Sequence, residues 1–425
     1  MKHLKINFAT NKERKTFYLH LIYSILDGII LGVLALNEYV LIKGLHGSSY
    51  QIGFLFQFTV IVLLISVPLN EILKRTLNKI KLLRIVAIFT RLPLVFLFFF
   101  PKNMTEQTNL LFYQTTFLVI FLIYYLANPM IMPVINGFLK TNYKHENFSK
   151  LYGYSSTANK IVMLIATFFF GLLLDKYSNA YTYVYPFLAI LGIISIFILT
   201  QIKYSPNVPK NNRTILEALK EIKASIFNII RSNKPFRDFE IGFMFYGLAW
   251  LVTIAVIALF LENQLKLNYS SIAFYKNFYT TVSILLTPFF GKLLGRINPR
   301  KFGIYTFFAM LLYLFFMAIT EYLPMYFEFF GLKIYYTLLI SFLAYGIFGA
   351  MMGLLWYIGS VYFAKDDDVA EYQSIHLSLT GFRGAFAPLA GVWLFELIGY
   401  SGVFAIGITS IFIGIVVLFF SLRKY

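Results

Sequence analysis

Twelve long apolar runs dominate the chain and restrict what it can fold into. The chain has 425 residues, of which 59% are hydrophobic and 13% are charged, and this is not the composition of a soluble globular domain. A helix needs about 20 apolar residues to cross a bilayer. We therefore predict an all-α integral membrane protein with twelve transmembrane helices, at residues 17–42, 50–70, 82–100, 110–137, 151–174, 181–200, 238–261, 271–291, 302–320, 333–362, 373–396 and 401–421.

Lysine and arginine are unevenly shared between successive loops. If both termini are cytoplasmic, the inside segments hold most of these residues, and the outside segments hold only Lys43, Lys102, Lys176, Lys266 and Lys333. Cytoplasmic loops of membrane proteins carry such an excess of positive charge. The pattern predicts a multi-pass protein of the plasma (inner) membrane with both termini cytoplasmic. It also explains the net charge of +18 without a nucleic-acid partner.

One polar interval, residues 201–237, separates six apolar runs from the other six. Turn-forming residues such as Pro206 and Pro209 come first, and Thr214 and Glu217 then have the spacing of a capping box. Apolar residues follow at helical spacing, flanked by lysine and arginine. This predicts a basic amphipathic helix on the cytoplasmic membrane surface, with either a regulatory role or only that of a connector. The predicted domains are 1–200, 201–237 and 238–425.

The two halves resemble each other at a constant offset. Gly171 and Gly391 begin the similar stretches GLLLDKYSNAYTYVYPF and GVWLFELIGYSGVFAIG, and they lie 220 residues apart. Pro68 and Pro288, near the cytoplasmic ends of the second and eighth runs, are also 220 residues apart. Two matches at one offset predict two six-helix bundles related by a parallel repeat.

Several chemistries have no support in the sequence. The chain has no cysteine, which excludes disulfides, thiol catalysis and thiolate metal sites. Its five histidines lack the spacing of a metal site, and no nucleotide-binding loop is present. We therefore expect that the protein is not an enzyme and that it uses no cofactor, metal or nucleic acid.

Twelve spans, cytoplasmic termini, a parallel repeat and a long basic central loop together resemble the major facilitator superfamily, over the whole chain. The resemblance implies alternating access, in which two six-helix halves rock about a central site near the bilayer midplane. It also implies that spans one, four, seven and ten line the central cavity. The expected partners are a small-molecule substrate, protons and the lipid bilayer, and the protein is expected to be a monomer.

The chain departs from the family's pattern in the loops after the second and eighth spans. The family's signature is Gly-x-x-x-Asp-Arg/Lys-x-Gly-Arg/Lys-Arg/Lys, whereas the chain reads LNEILKRTLNKIKLLR and GKLLGRINPRK. The basic residues are present, but Lys74 and Gly295 lie near the place of the expected acid. Span four also lacks the arginine motif, and span five the Gly-Pro motif, of the family's proton antiporters. These absences disfavour a multidrug antiporter.

Ionisable side chains inside the spans are the first functional candidates, because each costs about 3 kcal/mol at depth unless it has a partner. Asp27 in span one is predicted to bind protons or contact the substrate, or else to pair with a buried arginine. Glu38 lies on the same helical face and is predicted to be solvated or to join a structural ion pair. Arg91 in span three is predicted to form a structural ion pair, with Asp27 as the preferred partner.

Span eleven contributes two further candidates. Arg383 is predicted to hold an anionic group of the substrate or to exchange partners during gating. His376, seven residues earlier, is predicted to titrate or to pack as a hydrogen-bonded side chain. Lys160 in span five aligns with Thr380 through the repeat, and it is predicted to face the cavity or to extend to the interface. Cations from both halves would favour an anionic or zwitterionic substrate.

Polar and aromatic residues on the cavity-lining spans complete the set. Asn128 and Asn136 lie in span four, where Pro129 and Pro133 free backbone carbonyls that could line a cavity. Four aromatic residues on spans seven and ten are predicted to form a wall around an organic solute, or to be ordinary packing in a chain with 19% aromatics: Tyr246, Trp250, Tyr345 and Trp356.

The sequence thus predicts a proton-coupled secondary transporter for a small organic solute, with Asp27 as the coupling group and Arg383 for anchoring or gating. A second hypothesis is an exporter of amphiphilic or toxic compounds, favoured by the aromatic residues. A third is a membrane receptor or scaffold with a transporter fold and no turnover, for which the missing loop acids are the argument. The fold does not identify the solute, because one fold serves many functions.

Overall fold

Contacts along the chain group its residues into two compact units. The computed structural model describes residues 8–76, 78–102, 109–204, 227–364 and 369–425. Unit 1 comprises Met1–Leu45 and Ile65–Asn212, and unit 2 comprises His46–Leu64 and Arg213–Tyr425. The predicted division at 1–200, 201–237 and 238–425 stays a prediction. The contacts group the chain in another way, in which residues 50–64 of the second predicted span belong to unit 2.

Unit 1 is built from helices that coincide with the first six predicted spans. The third of these helices, α3, begins in unit 2 and ends in unit 1. The elements are α1 (Asn11–Leu34), α2 (Asn37–Tyr39) with a π-helical turn (Val40–Gly44), α3 (Ser49–Arg75), α4 (Lys79–Arg91) with a 3-10 segment (Leu92–Phe99), α5 (Leu110–Tyr125), α6 (Asn128–Asn142), α7 (His145–Lys176) and α8 (Tyr181–Leu199).

Small residues let α1 and α7 pack closely. Gly28 and Gly32 lie one turn apart on the same face of α1, and a Cβ atom at either would lie 2.5 Å from a backbone carbonyl of α7. Thr167 of α7 donates its hydroxyl to the Gly32 carbonyl at 2.9 Å. This close approach brings Asn159 of α7 against the middle of α1, where Asp27 lies.

Unit 2 repeats the helical pattern and adds one hairpin. Its helices after the central segment are α9 (Lys234–Leu259) with a π-helical turn (Phe260–Gln264), α10 (Tyr269–Leu294), α11 (Pro299–Tyr322), α12 (Tyr336–Ile358) with a 3-10 turn (Val361–Phe363), α13 (Val369–Gly384) and α14 (Ala387–Lys424). Between α11 and α12, strands β1 (Tyr326–Phe329) and β2 (Leu332–Tyr335) pair antiparallel. The all-helical expectation does not include this hairpin.

The first half of α3 packs on the helices at the end of the chain. Gly53 lies against Leu389 and Val392, and Tyr50 donates its hydroxyl to Glu396 at 2.8 Å. Gln57 donates to the backbone carbonyl of Ala385. These contacts join residues that are more than 300 positions apart and complete one side of unit 2.

Each predicted range contains a helix, although residues 333–335 of the tenth range belong to β2, and two ranges are divided differently. Among the described residues, nine helices are long and apolar enough to cross a membrane, and Ser49–Val62 is a shorter apolar helix. The last two predicted spans lie in a helical run, Ile375–Lys424, that is interrupted by a turn between α13 and α14 and by a break at Gly399, whose φ of 70° suits glycine. The fourth predicted span is divided into α5 and α6 just before Pro129. Most of the predicted amphipathic helix, up to residue 226, lies outside the described residues.

Candidate functional site

Unit 2 contains a cavity of about 370 Å³ that is lined mainly by aromatic side chains. Its wall comes from α9 and α12, with additions from α3 and α13. The main lining residues are Tyr246, Trp250, Tyr345, Phe348, Met352 and Trp356. The structure therefore brings the four aromatic candidates from the sequence together on one cavity.

Helical spacing places these rings on the cavity. Tyr246 and Trp250 lie four residues apart on α9, so both point to the same side of the helix. The indole of Trp250 forms a hydrogen bond with the hydroxyl of Tyr345 on α12, which fixes the two rings relative to each other. Phe348 and Met352 recur along the same face of α12.

Aromatic side chains of α11 pack behind the cavity wall. Tyr246 stacks on Phe307 of α11 with ring centroids 5.2 Å apart. Tyr345 stacks on Tyr313, also of α11, at 4.4 Å. Such ring pairs contribute roughly 0.5–1.5 kcal/mol each beyond the area they bury. The rings that form the cavity wall are therefore held by further rings packed behind them.

Arg383 lies behind this wall and does not line the cavity. Its guanidinium is 2% exposed and lies 5.8 Å from the ring centre of Tyr246. It donates to the Phe243 carbonyl at 2.5 Å and to the Thr380 hydroxyl at 3.1 Å. Thr380 does line the cavity, so Arg383 reaches it through Thr380 and Tyr246.

Glycine makes room for this arginine. A Cβ atom at Gly247 of α9 would overlap the guanidinium of Arg383. The side chain of Arg383 therefore packs directly on the backbone of α9, where the Phe243 carbonyl accepts its hydrogen bond. The Nε atom of Arg383 has no hydrogen-bond partner among the described residues.

A buried carboxylate and histidine lie next to Arg383. His376 Nδ1 is 2.9 Å from Glu240 Oε1, and both side chains are almost fully buried. The His376 ring also packs edge-on against Trp356, which lines the cavity, at 4.7 Å. The charges of Glu240 and Arg383 interact, so the three residues form one ionisable cluster behind the aromatic wall. No group of metal-ligating residues occurs in the described ranges.

Glu240 was missed in the sequence. It lies only three residues into the seventh predicted span, and a charge at that place resembles the ordinary end of a transmembrane run. The sequence signal that could have identified Glu240 as buried is the stretch that follows it. Glu240 is followed by the apolar stretch IGFMFYGLAW, so the helix can bury it within one turn of its first apolar residues.

Unit 1 contains a separate cluster around Asp27. Asn159 Nδ2 donates to Asp27 Oδ2 at 3.2 Å and to the Ser24 carbonyl at 2.9 Å. Arg91 is close enough for its charge to act on Asp27, while its NH1 donates to Thr90 at 2.6 Å. The Arg91 guanidinium also lies 5.0 Å from the Tyr124 ring centre. Asp27 thus has a neutral hydrogen-bond donor and a nearby cation.

The remaining candidates in unit 1 lie apart from this cluster. Glu38 is 8% exposed and lies near Tyr125. Asn128, Asn136 and Lys160 are exposed, and none of them lines the aromatic cavity.

Comparisons with known proteins identify relatives by family and by fold. The family model of the Major Facilitator Superfamily matches residues 16–332. The nucleoside transporter NupG superposes with a TM-score of 0.67 and 15% identity, covering 98% of this chain and 100% of that one. A D-xylose–proton symporter superposes with a TM-score of 0.66 and 14% identity, covering 96% of each chain. A POT family transporter solved with a thioalcohol-conjugated peptide superposes with a TM-score of 0.69 and 10% identity, also covering 96% of each chain. No curated protein matches the chain.

We predict that Glu240 and His376 stabilise the fold only as a pair. Glu240→Gln and His376→Gln should each lower the thermal midpoint, because removing one partner of a buried pair costs about 3–5 kcal/mol. The double variant should cost clearly less than the sum of the two single changes. The measurement is thermal unfolding of the purified protein in detergent.

Glu396→Gln is the matched control, since Glu396 accepts a hydrogen bond at an exposed position. It should shift the midpoint little. Strict additivity of Glu240→Gln and His376→Gln would contradict the pairing.

Proposed function

Because the chain belongs to the major facilitator superfamily, we propose that it is a secondary active transporter that moves a small organic solute across the membrane by alternating access. It is a multi-pass membrane protein, and we place it in the plasma membrane with both termini cytoplasmic. The observation that carries the proposal is the aromatic cavity of unit 2 with a buried ionisable cluster behind it.

The cavity suits a small solute with at least one flat or apolar face. Its volume of about 370 Å³ is at the lower end of the usual range for ligand pockets. Its wall offers ring faces for stacking, and Trp356, Tyr246 and Thr380 are its lining residues with polar side-chain atoms nearest the buried cluster. No charged side chain lines it within the described ranges, so ring contacts and a few hydrogen bonds would select the solute.

Arg383 acts in this proposal as a positioning residue. It holds Thr380 through a hydrogen bond and lies over the ring of Tyr246, so it fixes two parts of the cavity wall from behind. Its donor at Nε has no described partner and could bind a new acceptor during a conformational change. This role corresponds to the gating alternative for Arg383, in preference to direct anchoring of an anionic substrate.

Asp27 is the proposed proton-coupling group. Its side chain lies within the first membrane span, accepts a hydrogen bond from Asn159 and lies near the cation of Arg91. A buried carboxyl group with such partners can change its charge during a transport cycle. The nearby Arg91 would then lose or regain its electrostatic partner at each step.

We predict that truncating the aromatic wall weakens solute binding. Trp250→Ala and Tyr345→Ala should each reduce affinity roughly 30-fold, the usual loss when a central aromatic contact is removed. The measurement is solute-induced thermal stabilisation of the purified protein, with a panel that includes uridine, D-xylose and dialanine. The panel represents the solute classes printed for the structural neighbours: a nucleoside, D-xylose and a peptide.

Trp393→Ala provides the control for this series. Trp393 is 55% exposed and lies outside the cavity lining, so this change should leave the affinity unchanged. Equal affinity in the wild type and in the two cavity variants would place the solute elsewhere.

We predict that Asp27→Asn uncouples transport from protons. In proteoliposomes, an inward proton gradient should accelerate solute uptake by the wild type, because protonation of Asp27 on the acidic side favours inward movement. Asn cannot exchange a proton at neutral pH, so the variant should lose the gradient-driven part of uptake and keep exchange of solute for solute.

Asp175→Asn is the matched change at an exposed acid of unit 1, and it should keep the gradient response. A full gradient response in Asp27→Asn would remove Asp27 from the coupling mechanism.

The apolar character of the wall favours export of amphiphilic compounds as a second candidate function. Rings and a methionine side chain adapt to many apolar shapes, whereas a selective importer needs several placed polar groups. Overexpression should then raise resistance to several unrelated apolar compounds. A single narrow uptake substrate would decide against the exporter.

A further inference from the structure

A second pocket, of about 260 Å³, lies in unit 1 and is separate from the aromatic cavity. It is formed where three membrane helices end: at the first turn of α1, at the last residue of α6 and in the turn that follows α8. The candidate membrane spans begin at Asn11 and end at Asn142 and Leu199. The pocket therefore lies at the level where the chain leaves the hydrocarbon region of the bilayer.

The pocket is basic. Lys12, Lys15 and Lys203 line it and are exposed, and no carboxylate is among its lining residues in the described part of the chain. Glu13, the acid next to them in sequence, is buried and accepts hydrogen bonds from Ala9, Lys144 and Asn147 instead. Three ammonium groups around one concave surface favour an anionic ligand.

The start of α1 adds to this positive potential. Thr10 caps the helix by accepting from the backbone N–H of Glu13 at 3.0 Å, and its carbonyl accepts from Arg14. Asn11 and Lys12 occupy the first turn, where helix N–H groups have no partner within the helix. Such a terminus attracts phosphate and other anions.

Asn142 indicates a second feature of the ligand. This residue lines the pocket, and its side chain is 6% exposed. Its Nδ2 donates to the carbonyls of Phe138 and Lys203 at 2.7 and 3.0 Å, while its Oδ1 has no partner among the described residues. A buried acceptor without a donor is costly. A ligand hydroxyl that reached this oxygen would remove that cost.

We propose that this pocket binds a phosphate ester that also carries a hydroxyl group, as in the headgroup of phosphatidylglycerol or in free glycerol 3-phosphate. The lysines and the α1 terminus bind the phosphate, and Asn142 accepts from the hydroxyl. The pocket lies at the level where the helices leave the bilayer, on the side that the charge distribution assigns to the cytoplasm. This position favours the lipid headgroup.

The test uses the full-length protein purified in a neutral detergent. Dioctanoyl phosphatidylglycerol should raise the thermal midpoint in a saturable way, whereas dioctanoyl phosphatidylcholine should not. The double variant Lys15→Gln/Lys203→Gln should weaken the apparent affinity for phosphatidylglycerol roughly 25-fold, at about fivefold for each lysine. The control Lys292→Gln/Lys301→Gln removes two exposed lysines from unit 2 and should leave the affinity unchanged.

Two further ligands separate the parts of the proposal. Phosphatidylmethanol has the same charge and no hydroxyl, so it should bind more weakly than phosphatidylglycerol; equal affinity would overturn the role of Asn142.

Glycerol 3-phosphate tests the soluble source: saturable binding that depends on Lys15 and Lys203 would assign the site to a free phosphate ester. The proposal is wrong if both double variants weaken binding equally, or if the neutral and anionic lipids stabilise equally. None of these readouts depends on transport.

Discussion

Inside a membrane, every polar or charged group must find its partner within the protein, and this constraint explains the arrangement of both units. Water cannot compensate an unpaired group there, and the cost is several kcal/mol. In unit 2 the constraint gathers Glu240, His376 and Arg383 behind one aromatic wall. In unit 1 it joins Asp27 to Asn159 and holds Asn37 against the hydroxyl of Tyr185 at 2.7 Å.

The same constraint links the charged cluster to the shape of the cavity. Arg383 donates from its guanidinium to the Phe243 carbonyl and the Thr380 hydroxyl, and this requires the bare backbone of Gly247 beside it. His376 packs its ring on Trp356 while it contacts Glu240. A change in the charge of the cluster would therefore act directly on residues that line the cavity. This connection gives the proposed transporter a physical route from ionisation to binding.

Periodicity was sufficient to predict the helices and to place the aromatic residues of each helix on a shared face, because both depend on spacing along one element. That α9 and α12 would line one cavity was expected only from the resemblance to the superfamily. Tyr246 and Trp250 are neighbours on α9, and Tyr345 and Trp356 lie on α12, so a helical repeat places them in advance. The membership of the superfamily, expected from the resemblance, is confirmed by the family match over residues 16–332.

Other parts of the site depend on contacts between distant residues, and spacing carries no information about these. Thr59 and Val60 enter the cavity because α3 packs on the end of the chain, where Gly384 lets Val60 approach. Glu240 lies at a place where a charge usually marks the end of a span. The break at Gly399 and the hairpin between α11 and α12 are local solutions that leave no periodic signal.

The measurement that tests the account most directly is solute counterflow. Proteoliposomes preloaded with an unlabelled solute from the panel are diluted into the same solute in labelled form, without an ion gradient. The account predicts a transient accumulation of label for at least one solute in the wild type and in Trp393→Ala, and its loss in Trp250→Ala. Folded, reconstituted protein that exchanges no solute, or exchange that survives Trp250→Ala at the wild-type rate, would contradict transport through the aromatic cavity.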